Sequence, residues 1–345
     1  YEIGSGLVGS EMCIRDSNED EISVDTNFAA QNFWKEALIR FFNKKSAVLG
    51  LVLIVIIVLL AVLGPGMNSY TYSGQDLSQK NFAPRVPGIE QFGILDGSEK
   101  MSTTTGTKIV NNYVEKGKDD VYYWFGSDLY GRDIWTRTWE GARVSLIIAV
   151  AAAIIDMVIG MSYGLISGYF GGRVDMVMQR FLEVANGIPR LVIVTLLLLV
   201  LQPGMVTIIF ALMLTEWVGM SRIARAEMLK LKDQEFVLAS RTLGAGSFFI
   251  IFKEVLPNII GPIITQVMFS IPTAIFTEAF LSFVGLGIPV PQCSLGSLIS
   301  ELYNSFTTHP YQIIPPIVVM SLLMLSFNLV ADGLREALDP KMKSM

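Results

Sequence analysis

The sequence predicts an all-α integral membrane protein with six transmembrane helices, a short cytoplasmic helix between two of them, and a long external loop after the first. Three observations carry that prediction. Of 345 residues, 52% are hydrophobic and 17% charged, whereas soluble domains average about 45–50% apolar and about 25% charged. The run 47–63 holds no charge at all, and at ~1.5 Å per residue it is just long enough to cross a hydrocarbon core of about 30 Å. The basic residues of the short loops fall on one side of the predicted topology.

The elements follow in order. Residues 1–33 form an N-terminal cytoplasmic segment. Its first part, 1–17, is Gly/Ser-rich without a basic or apolar signal region and reads as a non-native prefix. The first transmembrane helix with its basic flank occupies 34–63, and Lys35, Arg40, Lys44 and Lys45 place its start in the cytoplasm. Residues 64–143 turn polar and rich in Gly, Pro, Asn and Ser, as an external loop or lobe. A five-helix core spans 144–330, with apolar runs at 145–166, 188–201, 205–218, 259–283 and 313–330. The third and fourth spans fall short of the usual ~17–25 residues and need flanking residues such as Val184, Ala185 and Gly219. Residues 331–345 are a cytoplasmic tail. On the predicted inner side the short loops and tail carry eleven Lys/Arg, and the short outer segments 202–204 and 284–312 carry none, which orients the bundle.

Several function classes drop out. A net charge of -5 offers no basic field for nucleic acid. Cys13, Cys293 and the lone His309 make neither a disulfide framework nor a metal site. The G-x-G-x-x-G at 4–9 has no strand before it, and the G-x-S-x-G at 160–164 lies in a membrane helix without a partner His. No phosphate-cradling G-x-x-x-x-G-K-[ST] occurs, so energy for any pumping must come from another chain or an ion gradient. Gly160, Gly164 and Gly168 repeat every four residues along one helix face and predict close helix packing, with a gating hinge as the alternative.

The most patterned segment is the 221–258 loop. Asp233, Gln234 and Glu235 open an apolar-periodic stretch through Phe236, Val237, Ala239 and Leu243; Gly244 breaks it, and Pro257 is expected to end the unit. Such a helix, held between two spans, suits a groove on a cytoplasmic partner. The loop resembles the EAA coupling motif in the inner-membrane permease subunits of ATP-binding-cassette importers, and more narrowly in the C-type permease of oligopeptide and dipeptide importers. The family's Glu-Ala-Ala reads Leu238-Ala239-Ser240, its glycine Gly244, and its closing Leu-Pro Leu256-Pro257. Trp124-Phe125-Gly126-Ser127-Asp128 with Gly131-Arg132-Asp133 is similar to the family's external motif. Residues 168–172 with Asp175, 278–287 and 332–340 resemble further family segments; Cys293 and Leu295 stand where Pro and Trp are usual.

The resemblance implies a non-enzymatic half-channel that imports oligopeptides or dipeptides. It pairs with a second homologous permease, two ATP-binding subunits and an external solute-binding protein. ATP and Mg sit in the partner ATPases, and no cofactor or metal is expected on this chain. Glu235, Leu238, Ala239, Ser240, Gly244, Leu256 and Pro257 become the coupling residues. Glu278, with Ser282, is a candidate for the pathway or gate, or else for a structural hydrogen bond in the bundle. Asp156 has no evident family counterpart and is expected to face a bundle or subunit partner. An importer of nickel or another small solute shares this architecture. An ion-coupled carrier would predict inverted repeats, which the chain does not show.

Overall fold

The computed structural model describes residues 33–103 and 106–338; the predicted prefix at 1–17 and the end of the tail, 339–345, lie outside them. A short helix α1 (Phe33–Asn43) leads into α2 (Lys45–Leu63). The segment 64–133 forms a lobe at one end of the bundle. It contains one antiparallel hairpin, β1 (Ser98–Thr103) with β2 (Gly106–Asn111), so strand structure joins the helical plan there. Then come α3 (Ile134–Phe170), α4 (Gly172–Gly187), α5 (Arg190–Val200), α6 (Met205–Leu231), α7 (Glu235–Thr242), α8 (Ser247–Leu286), α9 (Leu295–Tyr303) and α10 (Ile314–Leu338).

Five of these helices, α2, α3, α6, α8 and α10, are long and apolar enough to cross a membrane. The count reaches six if α4 and the start of α5, bent by 76° at their junction, make one broken span. The helices overrun the apolar runs that predict them. α3 begins at Ile134, not at 145, because the Asp133 side chain caps it by accepting from the Thr136 amide at 2.8 Å; hydropathy passes over its first turns because they carry Arg137, Glu140 and Arg143. α6 and α8 likewise run on into the 221–258 loop and leave only 232–246 outside long helices. Pro257 does not end a unit. It lies inside α8, just after a widened turn at Ile250–Val255, the local adjustment open to a helix whose proline lacks an N–H for the fourth-preceding carbonyl.

The core lies where α2, α3, α6, α8 and α10 meet, around Ile57, Ala142, Ile148, Ala152, Ile275 and Leu323. Small residues set the spacing. A Cβ on Gly164 would stand 2.1 Å from the Ser221 carbonyl oxygen, and one on Gly160 or Gly168 would crowd Met220 or Met228. The glycine stripe is therefore the α3–α6 contact surface. In the lobe, Phe82, Tyr113 and Tyr123 form a small separate core, with the Tyr113 hydroxyl donating to the Ala83 carbonyl at 2.8 Å.

Replacing Gly164 with Val forces α3 off α6, and overpacking of this kind costs about 1–3 kcal/mol or more. Gly164→Val is expected to lower the thermal midpoint of the detergent-solubilised protein, while Gly219→Ala, which meets open space, leaves it unchanged. Equal midpoints for the two variants would refute close packing at the stripe.

Candidate functional site

At the lobe end, the Trp124–Asp133 motif folds into the cap of α3. Trp124 and Phe125 stand edge-on to Trp135, with ring centroids 4.7 and 4.8 Å away, and the Trp135 indole N–H donates to the Gly64 carbonyl at 2.9 Å. Gly126 (φ 85°) and Gly131 (φ 72°) turn the chain in the left-handed region. A Cβ on Gly131 would fall 1.8 Å from the Asp76 carbonyl oxygen, so only glycine fits.

That turn delivers Asp128 into a closed charge network. Asp128 accepts from the Arg132 Nε at 2.7 Å, the Arg137 Nη1 at 2.9 Å and the amides of Tyr130 and Arg132 at 2.9 Å each. Arg132 also donates to Glu301 on α9, and Arg137 Nη2 does so at 2.7 Å. Arg137 is wholly buried and Asp128 and Arg132 nearly so. Two cations face two carboxylates, the condition under which buried charge is tolerated. Burial pushes the Glu301 carboxyl up, but Arg137 and Arg132 outweigh it and hold the group below the usual glutamate value of 4.5. Asp133 stands apart from this network; besides capping α3 it accepts from Asn68 Nδ2 at 2.7 Å.

Glu278 is fully enclosed among hydroxyls. It accepts from Ser282 at 2.7 Å, Ser294 at 2.5 Å and Ser145 at 3.3 Å. Ser145 in turn receives the Leu295 amide at 3.0 Å, and Ser294 caps α9. The cluster thus joins α3, α8 and the start of α9. Arg137, Glu301, Ser145 and Ser294 complete both networks, and sequence reasoning missed all four. No signal marked them: Arg137 falls in the stretch 64–143 that reads as a polar loop, and the two serines carry none.

The opposite end of α3 lies ~55 Å away along its axis, from 37 residues at ~1.5 Å each. Here α7 crosses beneath the bundle. Val237 is buried against Ile250, Ile251 and Val255, and Arg241 lies 5.4 Å over the Tyr169 ring. Glu235, Leu238, Ala239 and Leu243 point outward and Ser240 is half-buried. Gly244 (φ 86°) closes the helix, its amide donating to the Arg241 carbonyl at 3.0 Å while the Ala245 amide takes the Ser240 carbonyl at 3.0 Å. Leu256 and Pro257 lie apart from this turn, in α8. Asp175 ties α4 to α6 through a two-pronged pair with Arg225, both contacts at 2.6 Å. In mid-span Asp156 is buried and takes the Ser270 hydroxyl from α8 on Oδ2, a bundle-facing partner as expected.

Removing the shared acceptor leaves two buried arginines with Glu301 as their one remaining carboxylate, and breaking a buried pair from one side costs about 3–5 kcal/mol. Asp128→Ala is therefore expected to abolish the folded lobe end, read as rapid proteolysis there, whereas Asp119→Ala, exposed in the same lobe, behaves as wild type. Because the folded-state value of Glu301 lies below its unfolded one, its stabilisation is complete at neutral pH and fades as pH falls through and below 4.5. Thermal melts at pH 7 and pH 4 should show a smaller acid loss in Glu301→Gln than in wild type; an identical loss would contradict the pairing.

Comparison with known proteins agrees with this architecture. Residues 160–344 match the family described as binding-protein-dependent transport system inner membrane component, and residues 32–84 match the N-terminal transmembrane domain of oligopeptide transport permease C. The oligopeptide transport system permease protein OppC of Bacillus subtilis is 41% identical over 90% of this chain and 91% of its own length. The dipeptide permease DppC of Lactococcus lactis is 42% identical over 90% and 92%, and OppC of Escherichia coli 33% over 90% and 92%. An inward-facing structure of the MetNI methionine ABC transporter superposes with a TM-score of 0.50 at 15% identity, covering 58% of this chain and 94% of that one; at that identity the likeness speaks for the fold alone. The chain belongs to the inner-membrane permease components of binding-protein-dependent, ATP-binding-cassette transport systems, in the oligopeptide and dipeptide C-type group.

Proposed function

We propose that the chain forms one half of the translocation pathway of an ATP-driven importer of oligopeptides or dipeptides, and that α7 couples it to cytoplasmic ATPase subunits. ATP hydrolysis in this family resides in separate chains, which hold the nucleotide and Mg, and this subunit works by changing shape. The peptide cargo rests on the names of relatives that match over nine-tenths of the chain.

The observation that carries the coupling reading is the two-sidedness of α7. Val237 moors it to the core of the bundle, while Leu238, Ala239 and the tip residue Leu243 face outward. A helix of about two turns that presents Leu238 and Ala239 outward fits a groove on a partner, and the ATPases can bias the bundle only by binding α7 differently in its two states. On this reading the whole 221–258 segment works as the coupling unit, with Leu256 and Pro257 setting where α8 departs.

The reading fixes sidedness. The α7 end, the chain before α2 and the tail beyond α10 are cytoplasmic, and the lobe, with the Trp124–Asp133 motif, faces the external solute-binding protein. An open apolar cleft of about 350 Å³ between α5, α6 and α8, bordered by Val194, Ala211, Thr277 and Phe280, faces the second permease. Glu278 and Ser282 serve this half-channel as a fixed pivot at the outer end of α8, since every Glu278 contact is to the chain's own serines.

Ala239→Pro breaks the middle of α7, and Gly244→Val strains a left-handed backbone. In the assembled importer both are expected to cut peptide uptake by at least about tenfold while ATP hydrolysis persists, a loss of about 1.4 kcal/mol or more in coupling. Thr242→Ala, on the same helix, should leave uptake near wild type. Unchanged uptake in the first two variants would remove α7 from the coupling role.

A further inference from the structure

α1 has two unlike faces. Ala37 and Phe41 are buried against α10, where a Cβ on Gly333 would come within 3.1 Å of the Phe41 ring. Lys44 fastens the junction with α2 by pairing with Glu336 and donating to the Asp332 carbonyl at 3.4 Å. The other face turns Leu38, Ile39 and Phe42 outward, each about half exposed. Three large apolar side chains on an 11-residue helix form a patch of the kind that needs an occupant.

Two observations identify the occupant. α1 docks on α10 at the level of Asp332, Arg335 and Glu336, where the apolar span of α10 gives way to charge, as a span does where it leaves the hydrocarbon. Along the chain its exposed face runs directly into the outward stripe of α2, Leu49, Val52, Val55 and Ile56, in the most apolar span of the protein, only 28% of which is buried in the bundle. An outward apolar stripe on such a span suits lipid, and the exposed face of α1 directly precedes it along the chain. Lys35 and Lys45, both exposed, flank the patch with positive charge, as in helices that lie on anionic membranes.

We propose that α1 is an interfacial helix, lying along the anionic membrane surface opposite the lobe with Leu38, Ile39 and Phe42 sunk among the lipid chains. The test places a nitroxide label at Leu38→Cys, and separately at Ile39→Cys, in a Cys13→Ser background where Cys293 stays buried. The assembled importer is held in nanodiscs with or without phosphatidylglycerol. Both labels are expected to collide with dissolved oxygen and escape a water-soluble nickel chelate, at a depth of ~5–10 Å below the phosphates, and to sit deeper when phosphatidylglycerol is present. Chelate access at both sites, or shielding from both reagents, would overturn the proposal, the second result meaning that protein covers the face. Equal depth with and without phosphatidylglycerol would overturn the anionic surface as the partner.

Discussion

A bundle surrounded by lipid gains nothing by hiding one apolar side chain behind another, so contact distance is what holds it. Here that distance is set by glycine. The stripe at 160, 164 and 168 lets α6 approach until the Ser221 carbonyl would overlap any side chain on Gly164. The same device recurs where Gly50 meets α10 and Gly333 meets Ala47. With the helices this close, van der Waals attraction replaces the solvent-driven burial that soluble cores rely on, and the register of each helix against the next is fixed by backbone, leaving side chains free to serve other ends.

The polar residues are then spent at the two ends. At the lobe end, Asp128 and Glu301 neutralise Arg132 and Arg137, while three serines satisfy Glu278. The α2 terminus joins in, its carbonyls at Ala61 and Val62 receiving Arg143. At the α7 end the polar contacts are sparser and the apolar surface more open, with Leu243 almost fully exposed. One end is knit together by ion pairs and hydroxyls; the other presents exposed apolar side chains.

The parts of the fold legible in the sequence were those that depend on hydropathy. The run 47–63 and the apolar stretches of α8 and α10 mark their spans directly, and the glycine spacing marks a packing face. The early start of α3 was illegible because its first turns carry Arg137 and Arg143, and charge inside a helix reads as loop until its partners are known. Glu301 is that partner, and it lies in a segment whose charge pattern says nothing of Arg137. The turn after α7 was legible because Gly244 is required by a local backbone angle. The continuation of α8 through Pro257 was not, because a widened turn can absorb a proline without leaving a mark in the sequence.

The span of 164 residues between Arg137 and Glu301 also orders events during synthesis. At ~5–20 residues per second, Glu301 leaves the ribosome on the order of ten seconds after Arg137. Asp128 is present from the start, but one carboxylate cannot neutralise two arginines. The charge pairing at the first turns of α3 is therefore complete only once α9 has been made, although the lobe that converges on this cap is encoded early.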